Sequence, residues 1–228
     1  MEERGNKTIM CSVMFLDIVA YSRKSVSAQI AQKELFNRIL GNAISHVPAE
    51  DRVILDTGDG AAITYLGDVE DALRTALSFR DGLAAEDARM DPPLEVRIGI
   101  NLGPVRLVKD INGRPNIVGD GINVAQRIMD FAKPGQILAS RSYIDGAARL
   151  SQEYAGMFHR EGMRADKHDR VHEVYSVGPA EGTEKTGDDT LDLAVKMTPI
   201  ESATGKLQVV MDKLRNAPPQ RRALYVGI

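Results

Sequence analysis

The chain has 228 residues, a formal net charge of −3 and one cysteine. That length suits one full domain and a little more, and the balanced charge excludes the basic field that nucleic acid or an anionic membrane would need. A single cysteine, Cys11, excludes an internal disulfide and fits a reducing cytoplasm, where its apolar surroundings make it a small core residue.

The element order is predicted from apolar spacing. "TIMCSVMFLDI" (8–18) is an apolar run ending in an acid and reads as a buried central strand. From 21 to 47, Ile30, Leu35, Ile39, Leu40, Ile44 and Val47 recur at helical spacing, and Pro48 stops the helix. "RVILDTGDGAAITYL" (52–66) reads as two short strands around a Gly-bearing turn. A second amphipathic helix follows at 69–88. A β-rich segment at 94–108 has Gly103-Pro104 at its expected bend. This is the β-α-β-β-α-β order of a ferredoxin-like α+β core. A third helix (119–132), a strand in "KPGQILAS" and a closing strand "HEVYSV" (172–177) extend it. At Gly178 the composition turns polar and Gly-rich. The expected domain is therefore 5–178, with a linker and short tail at 179–228 that holds one possible helix. The N-terminus lacks a signal-peptide pattern. No apolar run approaches the roughly 20 residues that span a bilayer.

Two acids stand out. Asp17 ends the first strand and Asp59 sits in the hairpin turn, so the two converge if the first two strands of the core lie side by side. Their hard oxygens suit magnesium or manganese. A metal pair about 4 Å apart is the usual device for in-line displacement at phosphorus. The helix start after Asp17, "IVAYS", offers backbone N–H groups to a triphosphate. Taken singly these features are weak. An Asp in a Gly turn commonly satisfies turn backbone, and Asp56 is free to face solvent. Asp17 is less bland, since an acid ending so apolar a strand usually has a partner. Asn123 and Arg127, four apart on the third helix, share a face and carry donors suited to ribose and phosphate; an exposed pair of this kind is more often simply solvated.

Four segments in register change that balance: "FLDIVAYS" (15–22), "DTGDGAAI" (56–63), "VRIGINLGPV" (96–105) and "VGDGINVAQRI" (118–128). Together they resemble the catalytic domain of the class III nucleotidyl cyclases, the adenylate/guanylate cyclase family, over about 9–177. The resemblance implies a head-to-tail homodimer with two sites at its interface and two divalent cations, Mn²⁺ or Mg²⁺, in each. One protomer would supply the metal-binding Asp17 and Asp59 with the carbonyl of Ile18. The other would supply Asn123, to position the ribose, and Arg127, to neutralise charge at the α-phosphate. Phe15 falls among the substrate-binding positions. Lys167, with Arg164 or Arg160 as substitutes, is the candidate for the triphosphate. The implied reaction is attack of the ribose 3′-oxygen on the α-phosphorus of a nucleoside triphosphate, with loss of pyrophosphate, helped by metal acidification of the hydroxyl and charge stabilisation.

The family's purine pair is a Lys four residues before the second metal Asp and an Asp seven before the Asn. Here those positions hold Leu55 and Asn116. Leu has no donor or acceptor, and the guanine pair, Glu and Cys, is missing too. A pyrimidine is therefore the favoured base, UTP to cyclic UMP, as in the bacterial Pycsar uridylate cyclases of anti-phage defence, which signal to a separate cyclic-nucleotide effector protein. The alternatives are an adenylate cyclase with a non-standard base pocket and an inactive dimeric signalling module. A GGDEF-type cyclase has no place for the "INVAQR" helix.

Overall fold

The structure, a computed structural model, describes residues 7–87 and 93–178. Its elements run β1 (Thr8–Ile18), α1 (Val26–Ala43), β2 (Arg52–Asp56), β3 (Gly60–Tyr65), α2 (Glu70–Asp87), β4 (Val96–Lys109), β5 (Pro115–Val118), α3 (Asp120–Asp130), β6 (Ile137–Ser140), α4 (Arg141–Ala147), α5 (Gln152–Gly156), β7 (Phe158–Ala165) and β8 (Val171–Val177). The eight strands join one mixed sheet in the order β2-β3-β1-β4-β6-β8-β7, with β5 paired to β4 outside that path.

The first four strands give the ferredoxin-like core, with one correction. The neighbour of β1 is β3, not β2, which stands at the sheet edge. The β2–β3 turn still reaches Asp17, because the register sets Asp17 opposite Gly60. A Cβ on Gly60 would stand 2.0 Å from the Leu16 carbonyl oxygen, so only glycine allows this approach.

Alternation along β1 sorts its two faces. Met14, Leu16 and Ile18 enter the main core under α1 and α2, where Phe36 meets Phe79 edge to face at 5.3 Å. Cys11, Val13 and Phe15 enter a second cluster on the opposite face with Val105, Ile117, Ile122 and Ala125. There α3 lies close to the sheet, since a Cβ on Gly99 would fall 2.3 Å from the Met129 nitrogen.

Three boundaries differ from expectation. A 3-10 turn at Tyr21–Arg23 precedes α1, whose start is set by Ser25 accepting from the Ala28 N–H. Gly103-Pro104 does not bend the chain: β4 continues through it, with no strand on its other side between Ile100 and Arg106, where a missing N–H is tolerated. The sequence pattern also missed β5, α4, α5 and β7. The first three are short, and β7 is an exposed edge strand without two-residue alternation. The tail at 179–228 lies outside the described residues.

Candidate functional site

The acids converge as the spacing suggested. The Ile18 N–H donates to the Asp59 carbonyl at 2.9 Å, tying the end of β1 to the turn. The Asp17 carboxylate is mostly buried, with its side chain 16% exposed. Burial pushes its pKa above the ordinary carboxylate value, the Arg97 guanidinium pulls it down, and the Asp59 carboxylate pushes it up again; the net direction is upward. Asp17 thus has the partner its position called for. Arg97 donates to it through both Nε, at 3.2 Å, and Nη2. Arg97 was not read from the sequence. The register that sets it opposite Asp17 on β4 is the signal that would have found it.

Asp56 stands apart from this pair. Although burial works against the charge, the Gly58 N–H and Lys33 ammonium hold its carboxyl below the usual range. Lys33 reaches Asp56 at 3.0 Å and the Gly60 carbonyl at 2.7 Å, so α1 clamps both sides of the turn that carries Asp59.

Just beyond Asp17, Ala20 takes a left-handed conformation (φ 55°) at the start of the 3-10 turn. The N–H groups of Ala20, Tyr21 and Ser22 have no acceptor among the described residues. Successive free N–H groups of this kind suit an anion.

Among the described residues no cluster of three or more His, Cys, Asp or Glu could hold a metal. Two carboxylates, one of them raised in pKa by its burial and its neighbour's charge, and the Ile18 carbonyl are nonetheless a fit for a hard divalent cation. Magnesium typically takes one or two protein carboxylates and completes its shell with water and phosphate oxygens.

The second group of residues gathers on α3. Asn123 is exposed and Arg127 half-buried. Arg127 Nη1 donates to Asp130 at 3.2 Å, and its Nε lies 4.0 Å from Asp166 at the end of β7. Lys167 follows in the β7–β8 turn and is exposed. Arg160 is committed to Glu173 at 2.7 Å, and Arg164 stands opposite His172 on β8. No hydrogen bond or ion pair among the described residues joins the Asp17–Asp59 group to Asn123 or Arg127.

The two positions expected to read the base lie on strands that meet. Leu55, Ala62, Phe15 and Gly99 form one row across β2, β3, β1 and β4, and Leu55 and Phe15 pack against the cluster that includes Ile117 and Ile122. Asn116 stands on β5, next to Ile117, and its Oδ1 accepts from the Ile117 N–H at 2.7 Å. That bond uses one lone pair of the amide oxygen, and the NH₂ has no partner among the described residues.

No family model matches the chain. Solved structures do. The adenylate/guanylate cyclase/hydrolase of Silicibacter pomeroyi is 25% identical, with 76% of this chain and 99% of that one aligned at a TM-score of 0.59. The adenylyl cyclase CyaB of P. aeruginosa aligns over 77% and 98% at a TM-score of 0.60, with 21% identity. The chain has the class III nucleotidyl cyclase catalytic fold. A protein of Rhizobium meliloti (strain 1021) named "Putative adenylate cyclase 3" is 30% identical over 159 residues, 64% of this chain. The chain spans about a quarter of that relative's length. In this cyclase fold, Asp17 and Asp59 stand where a strand end meets a hairpin turn, and Asn123 and Arg127 on α3. Among the described residues no helix is long and apolar enough to cross a membrane.

Proposed function

We propose that this chain is a nucleotidyl cyclase that converts a nucleoside triphosphate to its 3′,5′-cyclic monophosphate and pyrophosphate. The observation that carries the reading is the pairing of two carboxylates beside Arg97 on the cyclase fold. Asp17, Asp59 and the Ile18 carbonyl would hold two divalent cations, Mn²⁺ or Mg²⁺, which when bound would supply acidification of the 3′-hydroxyl and charge neutralisation at the α-phosphate. The N–H groups of Ala20, Tyr21 and Ser22 would cradle the polyphosphate, and Arg97 holds the Asp17 carboxylate in place. Asn123 positions the ribose. Arg127 faces the α-phosphate, where negative charge grows. Lys167 supports the triphosphate.

The resemblance to the class III cyclases supports a head-to-tail homodimer as the working unit. Each site takes its acids from one copy and Asn123 and Arg127 from the other. The domain is 5–178.

The curated relative named as a putative adenylate cyclase supports ATP as substrate, although both adenylyl and guanylyl cyclases recur among the similar structures. One observation supports a pyrimidine instead. Leu55 is packed with Phe15 in an apolar row and offers the base nothing to bond, while Asn116, with its NH₂ and a second Oδ1 lone pair, can both donate and accept to a uracil or cytosine edge. With UTP the product would be cyclic UMP, read by a separate effector protein in phage defence. Incubation of the purified protein with Mn²⁺ and each of ATP, GTP, CTP and UTP, followed by mass spectrometry, separates these. Cyclic AMP is the expected product. Cyclic UMP alone would establish the second reading, and no product from any of the four would overturn the enzyme reading.

A further inference from the structure

The β7–β8 turn is built around one carboxylate. Asp166 Oδ1 accepts the N–H groups of His168 at 2.8 Å and Arg170 at 3.1 Å, which closes the turn. Its Oδ2 lies 3.0 Å from His172 Nε2 and 4.0 Å from Arg127 Nε. The side chain is 5% exposed and that of His172 is 7% exposed. Few surface acids are enclosed so fully, and closing a turn needs only Oδ1. The His172 bond, with burial opposing it and the two N–H groups assisting, holds the Asp166 carboxyl down to about 2. It is therefore charged wherever the protein works.

The turn is also docked on α3 at two further points. Arg170 makes a two-pronged pair with Asp120 at 2.7 and 2.9 Å, and the His172 ring stands 6.1 Å from that of Phe131. Arg127 consequently has two of its three guanidinium nitrogens facing carboxylates: Nη1 toward Asp130 and Nε toward Asp166. Nη2 has no partner among the described residues. A planar guanidinium hydrogen-bonded at Nη1 and drawn by a second carboxylate 4.0 Å from Nε has its third nitrogen restricted in direction.

We propose that Asp166 is a positioning residue for Arg127, fixing the guanidinium from the β7–β8 turn so that Nη2 is presented to a phosphate oxygen, and holding Lys167 in register with it. The inference rests on the reading of Arg127 as the group facing the α-phosphate. Asp166 touches no substrate. Its work is to remove the freedom that a long side chain would otherwise lose in the transition state.

The test uses Asp166→Asn in the full chain. Asparagine keeps an oxygen for the His168 and Arg170 N–H groups and loses the charge toward Arg127. With the nucleotide that gives product, kcat should fall about tenfold while KM stays within about twofold. Added to Arg127→Ala, the change should cost nothing further, because the two residues act as one unit. A full additional loss in the double variant would overturn the inference. The second readout needs no activity: the Arg127 Nε–H resonance, assigned by its loss in Arg127→Ala, should shift and exchange faster with solvent in Asp166→Asn. An unmoved resonance overturns the inference even if the protein is a cyclase. A wild type silent with all four triphosphates overturns the cyclase reading, and the resonance still decides whether Asp166 holds Arg127.

Discussion

Asp17 and Asp166 are both mostly buried aspartates beside an arginine, and their carboxyls are shifted in opposite directions. Asp17 faces one guanidinium and a second acid, so burial and repulsion win. Asp166 receives two backbone N–H groups and an imidazole, with a guanidinium near, so donation wins. Burial weighs most at Asp17 and the His172 bond weighs most at Asp166. The two regions therefore hold different kinds of acid. At the end of β1 the negative charge is under-compensated and a cation would relieve it. At the end of β7 the charge is already spent on holding other groups in place. One region has acids in need of cations; the other has an arginine with a nitrogen to spare.

The widest separation of the two regions should come from inactivating them in different molecules. Asp17→Ala or Asp59→Ala should each abolish turnover, a loss beyond about a thousandfold. Arg127→Ala should lower kcat by about a hundredfold or more with little change in KM, because its contact strengthens in the transition state. Mixing Asp17→Ala with Arg127→Ala protein should restore up to about a quarter of wild-type activity, since randomly paired dimers include some with one fully native site. Mixtures as inactive as their parts would place both groups in one protomer's site. A smaller effect is expected at the base. Leu55→Lys with Asn116→Asp should raise kcat/KM for ATP over UTP by about tenfold or more, the scale of a restored hydrogen-bonding reader. An unchanged ratio would remove both positions from base selection.

Much of the first region was legible in the sequence, and less of the second. Strands 8–18 and 52–65 announce themselves by uninterrupted apolar runs around a Gly turn, and a turn is local chemistry. Asp17 could therefore be given an unnamed partner, yet Arg97 could not be picked out, because strand register depends on long-range pairing. The wrong neighbour for β1 has the same origin: chain order does not fix strand order. Asn123 and Arg127 were placed correctly since helical spacing is local. Asp166 and His172 left no signal. They lie in a polar stretch, "ADKHDRVHEV", where an acid that closes a turn looks like any solvated one, and only the docking of that turn on α3 sets it apart. Leu55 was singled out by resemblance, and the structure gives it an apolar row to sit in.

The finest expected difference between the two acids is in stability against pH. The folded-state pKa of Asp17 is above its unfolded value of 3.8, so folding favours its protonated form. Its contribution is fullest below that unfolded value and is lost as pH rises through the folded one, so at neutral pH without divalent cations the carboxylate subtracts from stability. Asp17→Asn should therefore melt at the same temperature as the wild type or a few degrees higher at pH 7, and the gap should close as pH falls below about 4. Asp166 has the opposite sign. Its contribution is full above 3.8 and disappears as pH falls toward about 2, so Asp166→Asn should melt lower at pH 7 and match the wild type in acid. Thermal melts from pH 3 to pH 8 read both. Added Mn²⁺ should raise the wild-type midpoint and leave Asp17→Asn unmoved. A destabilised Asp17→Asn would mean that the Arg97 pair outweighs burial and repulsion, and that Asp17 is a structural acid like Asp166.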